Sequence, residues 1–313
     1  MKMMMTSASA AAFFAAAATP ALAWTPSSFH SLPLPDPAYP YEHLKPAELS
    51  AMNLPPLTGE PLGAFLRALR SPNAHQVEPM PPNTLRGVGV LPAAKVSHVG
   101  ATAYQSLNWS GTFYTTTHGS LTVIPTYQTT ITSISPHNGD PNEEILATWV
   151  GMGGFNPGDD PLHQAGNLQS TTGSCLGGNQ SVAFYECFPA GAIGLFVTNP
   201  GDTIYTSIWF DGIQGDVFAV DYNNGNVVFG STGCNVPHAQ TVEAIAEAAS
   251  VNGNITIMPN YGSMTYTNAN GGQSGGNQFG SSSANTITLV QNGTVASVPI
   301  PEGGSTLGFQ SYP

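Results

Sequence analysis

The sequence predicts an all-β fold, a sandwich or a barrel, on three observations. From Asn108 onward, short runs rich in Val, Ile, Thr, Tyr and Phe recur at close intervals, and these residue types suit a pleated, half-buried surface. Turn chemistry separates the runs, including Asn224-Gly225 and Asn292-Gly293, pairs that accept the positive φ angles of tight hairpins. Helix-period segments are scarce, and many short strands with few helices must bury their apolar faces against each other.

The strands are expected at residues 121–134, 145–151, 182–188, 203–210, 217–222, 227–230, 254–258, 263–267 and 286–291. Residues 241–250 are discordant: Val-Glu-Ala-Ile-Ala-Glu-Ala-Ala lies at their centre, and intrinsic propensity assigns them to a helix. Residues 268–285 are rich in Gly, Ser and Asn and read as a long surface loop.

The first 95 residues differ in kind. Lys2, an apolar stretch from Ala8 to Ala18 and the small-residue site Ala21-Leu22-Ala23 make residues 1–23 an expected export signal. A secreted protein follows from it, and no later run is apolar enough to span a bilayer. Residues 24–95 hold fourteen of the 27 prolines and five of the six basic residues. One short amphipathic helix is expected around 63–70, with Phe65, Leu66 and Leu69 on one side. The segment reads as a Pro-rich basic pro-segment, attached by charge to the acidic domain at 96–313 and loosened as the acids protonate.

All six Lys and Arg residues precede residue 96, and thirteen of the eighteen acidic residues follow it. Acid unfolding commonly follows from protonating carboxylates that were paired in the native state. A domain without Lys or Arg has no such pairs to lose, so the composition suits work in acid. Such a surface excludes nucleic acid and anionic membrane as expected partners, and a monomer is expected.

Cys175, Cys187 and Cys234 make no disulfide framework. Export permits a Cys175–Cys187 bridge, which would leave Cys234 over. No zinc spacing and no His-Glu-x-x-His occurs, so neither metal nor other cofactor is expected. Gly272-Gln273-Ser274-Gly275-Gly276 formally matches a nucleophile elbow, but its flanks are loop rather than strand and helix. At pH ~3 to 4 His, Lys and Cys are protonated, their ordinary pKa values being ~6.5 and above, which leaves a carboxylate as the usable base. Glu186, Glu243 and Glu247 are the carboxylates in β context. Spacing four puts Glu243 and Glu247 on one face of a helix or a strand.

Around these residues six segments follow in order: Asn108-Trp109-Ser110-Gly111, Thr148-Trp149-Val150-Gly151-Met152-Gly153-Gly154, Leu162-His163-Gln164-Ala165-Gly166, Phe184-Tyr185-Glu186-Cys187-Phe188-Pro189, Val242-Glu243-Ala244-Ile245-Ala246-Glu247 and Tyr261 to Ala269. In this series the chain resembles the glutamic peptidases, the eqolisin family. The resemblance implies an antiparallel β-sandwich of two sheets, of the concanavalin A-like lectin and glucanase type. It also implies a secreted acid endopeptidase acting on protein or peptide substrates, with its own pro-segment as inhibitor. Glu247 falls at the family's glutamate, the general base that takes a proton from water and returns it to the leaving nitrogen. Gln164 falls at its glutamine, whose amide stabilises the oxyanion without titrating. Trp109, Trp149, Tyr185 and Glu186 are expected to line the cleft. Ala244 and His163 depart from the pattern, and Gln169 is a second glutamine nearby.

Two other readings exist. A glycoside hydrolase on a similar sandwich would use Glu243 and Glu247, but these lie roughly 13 Å apart along a strand, too far for retaining cleavage at ~5 to 5.5 Å. A non-catalytic binding sandwich could keep the fold alone.

Overall fold

The computed structural model describes residues 29–312 apart from 82–83, 86, 90, 92–95, 117–119, 140–141 and 156–159. The expected export signal and the pro-segment boundary at Lys95 lie outside the described residues.

The described N-terminal part carries two helices, α1 (Pro46–Ala51) and α2 (Gly59–Leu69), and further on the short strand β1 (Val88–Gly89). The main strands are β2 (Ala103–Ser106), β3 (Trp109–Thr115), β4 (Thr126–Thr130), β5 (Ile145–Met152), β6 (His163–Ser170), β7 (Ser181–Cys187) and β8 (Ile193–Val197). They continue as β9 (Thr203–Phe210), β10 (Gly215–Asp221), β11 (Asn226–Thr232), β12 (Thr241–Ala248), β13 (Ser250–Val251) and β14 (Ser263–Asn270). β15 (Asn285–Gln291), β16 (Thr294–Gly303) and β17 (Thr306–Ser311) complete the domain.

Hydrogen bonding runs β8-β7-β6-β5-β12-β3-β15 across one layer and β14-β4-β9-β10-β11 across the other. β16 and β17 join the two layers at one side. Pairing is antiparallel nearly throughout, the parallel exceptions including β15 with β2. Val150, Ala165, Tyr185, Ala244 and Ala246 of the first layer pack on Tyr127, Ile204, Val217, Val228, Tyr266 and Phe309. The architecture is all-β and consistent with a sandwich. No helix among the described residues is long and apolar enough to cross a membrane.

β12 corrects the helix reading of residues 241–250. It lies between β3 and β5, and every one of its side chains is buried. Two flanking ladders and burial of both faces, one of them wholly apolar, outweigh the weak helical preference of Ala and Glu. β16 and β17 went unread because β16 contains Pro299 and Pro301. Beyond Ser297, β16 pairs with β17 alone, and an unpaired strand side tolerates proline. The turn at Asn292-Gly293 follows expectation, with φ of 53° and 78° between β15 and β16.

The expected amphipathic helix is α2, longer than read. Its apolar side covers the outer face of the second layer. The described attachment of residues 29–77 to the second layer is largely apolar, and Arg86 and Lys95, on which the charge reading also rests, lie outside the described residues. Among the described residues Arg70 pairs with Glu42 of the same segment, and Arg67 donates to the amide oxygen of Asn268.

Candidate active site

The outer face of the first layer carries the polar residues singled out in the sequence. Alternation along β12 puts Glu243, Ile245 and Glu247 on that face, and the register aligns two rows across it. In one row Glu186, Gln164, Gly151 and Glu243 follow one another over β7, β6, β5 and β12. In the other, Trp109 and Ala147 flank Glu247. Trp149 stands between the rows on β5, opposite Ile245. A Cβ at Gly151 would meet the Trp149 ring at 2.7 Å and Oε1 of Glu243 at 3.2 Å, so glycine keeps the floor between Gln164 and Glu243 open.

Glu247 is fully buried and held by three donors. Its Oε1 accepts from the Leu91 backbone amide at 3.0 Å and from Asn108 Nδ2 at 3.4 Å. Oε2 accepts from Trp149 Nε1 at 3.0 Å. Burial pushes the pKa of Glu247 well above the usual carboxylate range. The Leu91 amide works against that, and the nearby Glu186 carboxylate adds to it. Trp109 packs edge-on to Trp149 with ring centroids 4.8 Å apart.

Leu91 itself is clamped at both polar groups. Its carbonyl accepts from Trp109 Nε1 at 2.8 Å and from Asn108 Nδ2 at 3.3 Å. Ser106 Oγ donates to Asn108 Oδ1 at 2.9 Å, which turns the Asn108 amide nitrogen toward Leu91 and Glu247. Two residues upstream, β1 pairs antiparallel with β13, and Ser250 Oγ donates to the Gly89 carbonyl at 2.9 Å. Val88 is buried in the same apolar cluster as Trp109, Trp149 and Phe184, with Met80 and Leu85 packed at its side. Val88, Gly89 and Leu91 thus lie against the outer-face cluster and the Glu247 carboxyl.

Gln164 and Glu186 meet directly: Gln164 Nε2 donates to Glu186 Oε2 at 3.0 Å, and both are buried. Gln164 does not touch Glu247 here. They lie on strands separated by β5 and offset by four residues, with Trp149 between them. Gln169 is no competitor, since its amide donates to the Thr132 carbonyl on the other side of β6.

Two sequence expectations need correction. Tyr185 does not line this face. Adjacent strand residues point oppositely, and with Glu186 outward Tyr185 enters the interior, where its hydroxyl meets Thr232 Oγ1 at 2.6 Å. The disulfide joins Cys187 to Cys234 and leaves Cys175 as a buried free thiol. Cys187 and Cys234 share the interior cluster, whereas Cys175 packs in the outer-face cluster with Leu176 and Phe184. Opposite faces of one layer cannot be bridged. Sequence reasoning missed Leu91, Ser106 and Ser250. Asn108 opened a motif without being assigned a role, and nothing in the sequence marked the other three. Among the described residues no group of three His, Cys, Asp or Glu could hold a metal ion.

Over residues 107–307 the chain matches the Peptidase A4 family. Scytalido-glutamic peptidase, solved with a peptide based transition state analog, is similar in structure at 15% identity and a TM-score of 0.51, covering 66% of this chain and 98% of that chain. SCP-B, a member of the Eqolisin family solved with the tripeptide Ala-Ile-His, is similar at 17% identity and a TM-score of 0.50, with the same coverages. At such identities these two likenesses bear on the fold. No curated protein matches the chain.

Proposed function

The chain belongs to the Peptidase A4 family and is a glutamic-type peptidase, and from that premise we propose that Glu247 and Gln164 are its catalytic pair. Glu247 takes a proton from the water that attacks the peptide carbonyl and returns it to the leaving nitrogen. The Gln164 amide donates to the developing oxyanion, swinging from Glu186 to do so. Trp109, Trp149 and Glu186 bound the cleft, in a double sheet of the concanavalin A-like type. The enzyme is a secreted acid endopeptidase acting on protein or peptide chains, and residues 24–95 precede the catalytic domain as a pro-segment.

The observation that carries this reading is the seat of Leu91. A backbone N–H rests on the Glu247 carboxylate while the same residue's carbonyl is taken by an indole N–H. That is how the site would present groups to an extended substrate, so the pro-segment inhibits by occupying the substrate's place. With Leu91 seated, Glu247 is buried and its pKa is pushed up. Once the segment leaves, water reaches the carboxyl and its pKa falls toward the acid working range.

The test is incubation of the processed protein at pH ~3, where a carboxylate near its ordinary pKa can act as base, with a denatured protein substrate. Glu247→Gln and Gln164→Ala variants run beside it. Cleavage by the wild type alone is expected. Failure of the wild type, or cleavage by Glu247→Gln, contradicts the proposal; the first outcome would favour a non-catalytic binding sandwich.

A further inference from the structure

The N-terminal segment has two parts with different attachments. The cleft part, β1 to Leu91, rests on one two-residue pairing, the burial of Val88, a Ser250 hydrogen bond to Gly89 and the contacts at Glu247, Trp109 and Asn108. Residues 29–77 are attached on the opposite side of the molecule, on the second layer, and Met80 then reaches the first layer, donating its backbone N–H to the Gly194 carbonyl at 2.9 Å.

Phe65, Leu66 and Leu69 of α2, with Tyr41, Leu49, Leu54 and Leu57, form one apolar cluster with Tyr205, Trp209, Phe218, Val220, Val227 and Phe229 of the second layer. Phe65 meets Phe218 with ring centroids 4.8 Å apart. The residues contributed by the layer are at most 2% exposed. Four of them are aromatic, each burying ~150–250 Å² when enclosed. Uncovering them would leave a patch larger than the few hundred Å² that soluble monomers ordinarily expose. The same segment also pairs with the edge strand β11. His30 and Ser31 pair antiparallel with Ser231 and Gly230, while Leu32 and Val77 donate backbone N–H to Phe229 and Val227 carbonyls at 2.8 Å. Removing it would expose a sheet edge as well as an apolar face. Arg70 is satisfied by Glu42 within the segment, so among the described residues acid protonates no carboxylate of the β domain that holds it by an ion pair.

We propose that residues 29–81 are a permanent subunit of the working enzyme. Activation hydrolyses peptide bonds between residues 82 and 107, with water adding across each bond to give a carboxyl and an amino terminus. It leaves a two-chain particle in which the N-terminal chain stays on the second layer. This rests on the pro-segment reading above for the location of the cut, but the experiment below does not require the enzyme's own activity.

Replace residues 92–95 of the full chain with the recognition sequence of an unrelated site-specific protease and cut at neutral pH. The expected result is two chains on a denaturing gel and one particle containing both by size exclusion and native mass spectrometry, at neutral pH and at pH ~3 alike. Phe65→Asp in the cut protein should release the N-terminal chain or aggregate the remainder. An N-terminal chain that elutes separately, leaving a soluble and monodisperse C-terminal chain with an unchanged melting temperature, overturns the proposal.

Discussion

The Leu91 backbone amide donates to Oε1 of Glu247 at 3.0 Å, so the chain's own peptide occupies the carboxyl that the family resemblance singles out. Proline at position 91 has no N–H to donate. Leu91→Pro should therefore loosen the plug and raise hydrolysis of a fluorogenic peptide by the unprocessed precursor. A precursor as silent as the wild type would show that the contact contributes nothing to inhibition.

Trp149 holds the other carboxylate oxygen through its indole N–H at 3.0 Å. Trp149→Phe keeps an aromatic ring beside Trp109 and removes one charge-assisted hydrogen bond, worth ~1.5–3 kcal/mol. The processed variant should lose about 10- to 100-fold in kcat/KM, and the pKa on its acid limb should rise because the ionised form has lost a donor. The pH–rate profile separates this from a packing defect, which would lower activity without moving the pKa.

Cys187 and Cys234 close a loop with a sequence separation of 47. Chain entropy for a loop of that length gives about 4 kcal/mol. Cys234→Ser should lower the denaturant midpoint accordingly, whereas Cys175→Ser should leave the bridge intact. Thiol titration of the unreduced, denatured wild type should find one free thiol.

Two buried groups set opposing pH dependences. Burial lowers the pKa of His163 to about 3, so its contribution is complete above the unfolded value near 6.5 and is lost as pH falls through 3. Burial, then the Asp211 charge, raises Asp216 to about 8. Its contribution is complete below the unfolded value near 3.8 and is lost as pH rises through 8. His163→Leu should remove up to ~1.4 kcal/mol per pH unit of destabilisation between pH 6.5 and 3. Asp216→Asn should gain stability at pH 8 relative to pH 4. Melting temperatures across pH 3 to 8 check both. The composition's fitness for acid is thus opposed at one buried histidine.

Much of the polar face was legible because its parts are local. Trp149, Gln164, Glu186 and Glu247 each sit in a short stretch whose alternation fixes their side of the sheet, and their order along the chain is the order of the resemblance. The same alternation, applied to Tyr185 beside Glu186, would have sent Tyr185 inward. The Cys187–Cys234 bridge was not legible, because it depends on which faces distant segments share. Nor was Leu91, whose role is made by two backbone atoms. Residues 241–248 misled because Ala and Glu carry helical preference, and only the flanking β3 and β5 decide otherwise.

Glu247, and not Glu243 four residues away on the same face of β12, is the proposed base. The direct measurement is kcat/KM of the processed Glu247→Gln and Glu243→Gln variants on one peptide, with folding verified by melting. Glu247→Gln should fall by about a thousandfold, within the ~10²–10⁴ range for loss of a general base, and Glu243→Gln should stay within about tenfold of wild type. A collapse confined to Glu243→Gln would contradict the account.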